Sequence, residues 1–239
     1  MKGLRKLIIL AVDTSCATAS IALIEDGVVM GEYSVNNKNT HSGKLIPMID
    51  ALIELSGKTI ADVDLFAVVV GPGSFTGLRI GVVTVKMMAY AAEKPVVGII
   101  SLDALAKRGA LLKDNIICPI IDARNEQVFT CVYFNGLPIS EYMAFSIQEL
   151  CDLLQKEASE RNCNIWFCGD GVISYRDKIK DILVEKYNEF PLEIILNDAS
   201  SVGSIAVEMY ARGEVISPEN LNPFYLRKAQ AEQRREQSI

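Results

Sequence analysis

The 239-residue chain has a single histidine, His41, so a metal site built from two of its own imidazoles is excluded. Positive charge is also short. Its 24 Lys and Arg stand against 30 Asp and Glu, a formal net charge of −6. That balance argues against a chain whose main task is gripping nucleic acid electrostatically, and leaves open only a local basic patch within a larger assembly. No apolar run approaches the roughly 20 residues that a membrane-spanning helix needs. The six cysteines (Cys16, Cys118, Cys131, Cys151, Cys163 and Cys168) form no Cys-x-x-Cys pair, and several sit in strand-like apolar runs. Buried, reduced thiols are expected rather than disulfides or zinc ligands.

What is present points to a well-cored α/β protein. Half of the residues are hydrophobic and 23% are charged, enough for a sizeable core. Met1-Lys2-Gly3-Leu4-Arg5-Lys6 and the apolar residues after it are superficially similar to a signal peptide. The apolar run meets Asp13 at once, so residues 7–12 are read as a first strand of a soluble, cytoplasmic protein. Strands are expected at 19–24 and 28–35, joined by an Asp26-Gly27 hairpin turn. A polar stretch at 36–40 leads to a helix over 42–56, stopped by Gly57. A strand at 65–70, a glycine turn, a helix over 76–92, a strand at 96–100 and a helix over 102–112 complete a first lobe. The order then recurs: strands at 116–121, 127–134 and 141–145, a helix over 147–161, a strand at 164–168, a helix over 178–187, a strand at 192–196 and a helix over 202–212. No residue-level repeat accompanies it. Two βββαβα-type lobes are the signature of the actin-like (ASKHA, ribonuclease H-like) fold. The lobes are placed at 1–107 and 108–226, the last helix of the second being able to pack back on the first. A charged, frayed tail is expected at 227–239.

Three constellations could carry chemistry. Asp13-Thr14-Ser15 ends a buried strand and offers a carboxylate and hydroxyls to a nucleotide, or merely satisfies a polar turn. Gly71-Pro72-Gly73-Ser74-Phe75-Thr76-Gly77-Leu78-Arg79 joins a strand to a helix N-terminus. It could be an anion site, with Gly71, Gly73, Ser74 and Thr76 against phosphate, or a tight turn that aims the helix. It lacks the Gly-Lys-Ser/Thr of a P-loop. Asp122-Ala123-Arg124 and Gly169-Asp170-Gly171 could line the opposite wall, Asp122 and Gly169 touching nucleotide, or could be ordinary turns. His41 reads as a helix-start residue, and no Ser or Cys is placed beside it to make a protease. The helices over 42–56 and 76–92 carry more apolar residues than one packed face needs. The surplus points to a second face docked on another chain, or to the two helices packing on each other.

Taken together, Ile9-Leu10-Ala11-Val12-Asp13-Thr14-Ser15, the Gly71 to Gly81 segment, Asp122-Ala123-Arg124 and Pro223-Phe224-Tyr225-Leu226-Arg227 resemble the bacterial TsaB family, formerly called YeaZ. The resemblance implies an actin-like fold and a role in threonylcarbamoyl transfer to N6 of adenosine 37 in tRNAs that read ANN codons. It implies a heterodimer with the paralogue TsaD, the small ATPase TsaE as a further partner, and tRNA reached through the complex. ATP or ADP and a metal are then expected in the partner subunits, with no cofactor or metal required by this chain. TsaD-type chains carry a His-x-x-x-His pair on the equivalent helix. Here His41 is followed four residues later by Leu45, so catalytic groups are assigned to the partner. The family's contact uses the first two helices. His41, Leu45, Met48, Ile49, Leu52, Leu78, Arg79, Val82, Val85 and Lys86 are the expected interface, which could also serve a homodimer when the partner is missing. The alternative is a stand-alone actin-like ATPase or small-molecule kinase.

Overall fold

The computed structural model describes residues 6–36 and 41–227. The readings made above of residues 1–5, of 37–40 and of the tail from 228 onward lie outside the described residues.

Strand β1 (Ile8–Asp13) is apolar up to its final Asp and buried throughout, as a strand covered on both faces must be. It pairs antiparallel with β2 (Thr18–Glu25) and parallel with β4 (Leu65–Gly71). Asp26 and Gly27 adopt φ of 50° and 78°, the geometry a two-residue hairpin turn into β3 (Val28–Asn36) requires. With β5 (Val96–Ile100) the sheet order is β3-β2-β1-β4-β5. Alternation along the strands divides its two faces. Leu10, Val12, Phe66 and Val68 pack under α1 (Leu45–Leu55) and α2 (Phe75–Ala91). Ile9, Ala11, Leu65 and Ala67 pack under α6 (Ala199–Ala211), which returns from the end of the chain. Helix α3 (Ser101–Lys107) follows β5 and runs into a 3-10 turn, Arg108–Leu111.

The second sheet contains β6 (Ile116–Arg124), β7 (Gln127–Thr130), β8 (Tyr133–Phe134), β9 (Leu137–Pro138), β10 (Met143–Ser146), β11 (Ile165–Cys168) and β12 (Tyr187–Glu189). Its main path is β10-β7-β6-β11-β12. Both sheets thus run third, second, first, fourth, fifth, which is the actin-like duplication. Helices α4 (Ile147–Arg161) and α5 (Asp170–Leu183) pack on it.

The second lobe departs from the sequence reading in three places. The expected strand over 127–134 is split, because Val132 N donates to Ser140 Oγ instead of continuing the ladder. Gly169-Asp170-Gly171 is a helix start rather than a loop. Val172, Ile179 and Leu183 form a buried stripe that extends α5 back to Asp170, well before 178. The fifth strand is β12, and 192–196 is not a strand: Ile195 O accepts from Gly169 N and so serves the α5 start. All six cysteines are buried and unpaired by disulfides. Among the described residues no helix is long and apolar enough to cross a membrane.

Asp198 caps α6 and ties its start to the turn after α3, while Glu32 and Ser20 of the first sheet accept from Ala199 N. Asp198 Oδ1 accepts from Ser201 N at 2.7 Å as the N-cap, and Oδ2 pairs with Arg108 Nη2 at 2.6 Å. Asp198→Asn retains a capping oxygen and loses the ion pair, whereas Asp198→Ala loses both. Urea unfolding should find the Ala variant less stable than the Asn variant by about 1 kcal/mol. Equal midpoints would remove the cap from the account of α6.

Candidate functional site

The end of β1 and the start of α2 meet backbone to backbone. Ser15 O accepts from Ser74 N at 2.6 Å, and Thr14 Oγ1 donates to Gly77 O at 2.8 Å. Ser74 Oγ caps α2 by accepting from Gly77 N at 3.3 Å. A Cβ on Gly73 would lie 2.3 Å from Ser15 O, and one on Gly77 would lie 2.1 Å from Thr14 O. No side chain fits at either position, so the glycines serve this close approach. The glycine turn therefore aims the helix, and the chain's own carbonyl occupies the cap amide that an anion would use. Asp13, Thr14 and Ser15 have no accessible surface.

Asp13 Oδ1 accepts from Ser15 N at 2.8 Å and from Ser15 Oγ at 2.7 Å. Its Oδ2 is buried without a hydrogen-bond partner, and the side chain of Asn197, in the segment before α6, lies close to Asp13 with its Nδ2 donating to Thr18 O at 3.2 Å. Burial pushes the Asp13 carboxyl up to about 6, only partly offset by the Ser15 hydrogen bonds. Across the seam, Asp170 is also pushed up by burial, while its Oδ1 accepts from Asp122 N at 3.1 Å. The thiol of Cys16 is close enough to feel both Asp13 and Asp170, and burial first and these carboxylates second push it upward. Asp122 is held outside this group: it accepts from Tyr175 OH at 3.0 Å and pairs with Arg124. A Cβ on Gly169 would strike Ile120 O at 2.2 Å. The structure thus brings Asp13, Thr14, Ser15, Gly73 and Ser74 together, with Gly71 on the same turn. Thr76 is exposed on the outside of α2, and Asp122 and Gly169 sit on the second lobe's wall. His41 lies in a 3-10 turn with its Nε2 at 2.8 Å from Cys16 O, a contact to backbone and not to a nucleophile.

The expected interface needs correction. Leu45, Ile49, Leu52, Leu78, Val82 and Val85 are at most 3% exposed and fill this chain's own core, so they present nothing to another chain. A charge placed at Leu78 or Val82 would enter that core. His41, Met48 and Lys86 are half-buried and Arg79 is exposed. Lys86 is committed to its own chain, donating to Glu219 O and Leu221 O at 2.9 and 3.1 Å. The apolar residues that do face outward were missed as a group: Val83 (57% exposed), Met87 (58%), Tyr90 (61%) and, on α1, Ile46 (44%). The signal was in the glycines. Gly77 and Gly81 mark the packed side of α2, and at 100° per residue positions 79, 83, 87 and 90 fall on the other side.

The late Pro223-Phe224-Tyr225-Leu226-Arg227 segment straps this arrangement. Phe224 N donates to Val70 O at 2.8 Å, and Tyr225 stacks on Phe75 with ring centroids 5.0 Å apart. Arg227, expected to begin the frayed tail, instead donates to Ala123 O and to Gln127 Oε1 on the second lobe.

Residues 29–234 match the family model described as TsaD, tRNA N6-adenosine threonylcarbamoyltransferase. The chain is 32% identical over 234 residues to the tRNA threonylcarbamoyladenosine biosynthesis protein TsaB of Bacillus subtilis, covering 94% of this chain and 96% of that one. To TsaB of Escherichia coli it is 29% identical, covering 92% and 94%. The solved structure of YeaZ from Pseudomonas aeruginosa superposes with a TM-score of 0.77 at 26% identity, covering 92% of this chain and all of that one.

Because Asp13 holds its proton more tightly folded than unfolded, its contribution to stability is greatest below its ordinary value near 4. That contribution falls as pH rises through about 6. Asp13→Asn keeps an acceptor for Ser15 and has no charge to bury. Urea unfolding between pH 4 and 7 should show the variant gaining on the parent as pH rises, by roughly 2–3 kcal/mol at pH 7 relative to pH 4. Parallel stability curves would show that Asp13 is ionised without penalty.

Proposed function

The chain belongs to the TsaB (YeaZ) family, and on that premise we propose that it serves tRNA threonylcarbamoyladenosine biosynthesis as a subunit without catalytic groups of its own. It pairs with TsaD in the cytoplasm and supports transfer of the threonylcarbamoyl group to N6 of adenosine 37 in tRNAs that read ANN codons. TsaE joins the assembly, and tRNA is reached through the complex rather than gripped by this acidic chain. ATP or ADP and the metal belong to the partner subunits, and this chain requires neither. Alone, it pairs with a second copy through the same surface.

One observation carries the reading. The outer face of α2 exposes Val83, Met87 and Tyr90 in line along one helix, with Ile46 of α1 also outward. Large exposed apolar side chains aligned on one helix face are characteristic of a surface that another protein covers. The burial of Asp13, Thr14 and Ser15 beneath the α2 corner supports placing nucleotide chemistry in the partner.

Size-exclusion chromatography with light scattering, on this protein mixed with the TsaD paralogue of the same organism, should give a stable heterodimer. Val83→Asp should leave the isolated chain folded, with an unchanged far-UV circular dichroism spectrum since the residue is outward, and weaken the complex at least 100-fold. Failure of the two folded proteins to associate, with nucleotide and TsaE present, would overturn the reading.

A further inference from the structure

The exposed face of α2 differs in charge at its two ends. Near the helix start, Arg79 is held by its own chain. Its Nε donates to Tyr225 OH at 3.2 Å, and its guanidinium lies 3.8 Å from the centroid of the Phe75 ring. Among the described residues no other hydrogen bond and no ion pair engages it. The two Nη groups therefore remain as an exposed, oriented fork of the geometry that binds a carboxylate with two parallel hydrogen bonds. The rotamer entropy that a free arginine loses on binding is already spent in this contact with the strap.

Eleven residues on, roughly 16 Å along the helix, Tyr90 reaches a groove of about 630 Å³ between the end of α2 and residues 215–219. Pro95, Ile216 and Pro218 supply apolar lining, while Glu93 and Glu219 bring carboxylates. The lysine in the lining, Lys94, is paired with Asp64 at 3.3 Å. The groove also lies at the helix C-terminus, where the last carbonyls add partial negative charge. Between these ends stand Val83 and Met87.

Resting on the assignment of a TsaD partner, we infer that this face is a bipolar docking stripe that sets the direction in which the partner lies. Arg79 takes a carboxylate of the partner at one end. The groove at the other end takes a lysine or arginine whose stem packs on Tyr90 and Ile216 and whose charge meets Glu93 and Glu219. A partner segment laid the other way would bring like charges together at both ends, which complementary interfaces exclude. A nucleic acid is a poor occupant, because its phosphates would meet Glu93 and Glu219.

The test uses the full-length protein and the TsaD paralogue, with affinities measured at 50 and 300 mM salt. Arg79→Ala should weaken binding about tenfold at low salt, with less loss at high salt. Arg79→Lys should recover little, because a point charge does not replace the fork. Tyr225→Phe, which frees the guanidinium without removing it, should cost a smaller factor of about 3. The pair Glu93→Gln and Glu219→Gln should weaken binding five- to tenfold, and Glu93→Lys with Glu219→Lys more. All are surface changes, and unchanged far-UV circular dichroism spectra will show that folding is intact. If the wild-type complex forms and both ends tolerate substitution without loss at low salt, the bipolar stripe is wrong while the partner assignment stands. If no wild-type complex forms, the partner assignment fails and the stripe fails with it.

Discussion

The contact on which most of this molecule depends is the one between two pieces of backbone. The turn after β1 and the first turns of α2 approach so closely that a methyl group at Gly73 or Gly77 would overlap a carbonyl oxygen. This approach sets the rotation of α2. With the glycine side pressed on Thr14 and Ser15, Leu78, Val82, Val85 and Ala89 enter the core, and Arg79, Val83, Met87 and Tyr90 face out. The C-terminal strap then locks the result, since Lys86 holds its carbonyls and Phe224 bonds to Val70 at the end of β4. A Cβ on Gly71 would meet Phe224 O at 2.2 Å, so the same glycine-rich segment admits the strap as well.

The seam between the lobes is the electrostatic counterpart of that contact. Asp13 and Asp170 are both pushed up by burial, and both act on the Cys16 thiol. A buried carboxylate without a cation is costly, and the unpartnered Oδ2 of Asp13 is the local sign of that cost. In an actin-like fold this corner faces the cleft between lobes. Here the corner is closed by the chain's own groups.

The first lobe was legible because its signals are local. The apolar runs of β1 and β4, the Asp26-Gly27 turn and Gly57 each state their own conformation. The second lobe was less legible because long-range pairing decided it. The apolar run at 192–196 looks like a strand in isolation, yet Ile195 spends its carbonyl on Gly169. Tyr187–Glu189, with one acidic and two polar-tipped residues, is a strand only because β11 offers it an edge. Asp170 opens a helix because its stripe at Val172, Ile179 and Leu183 has a sheet to cover. Of the candidate site, the Asp13-Thr14-Ser15 corner and the Gly71 to Arg79 segment were identified as the informative residues, and the choice between phosphate cradle and structural turn was left to the structure.

By itself the sequence determined the two-lobed α/β order, the family, the buried thiols and the surplus of apolar residues on the first two helices. These are matters of composition, periodicity and motif, which neighbouring residues carry without reference to the rest of the chain. Only the tertiary structure decided which of those apolar residues are surplus. A helix that is apolar nearly all round does not announce its inner face, and the face chosen here follows from a clash between a carbonyl of one segment and a missing side chain of another. Leu78 and Val82 therefore belong to the core, and Val83, Met87 and Tyr90 to the surface.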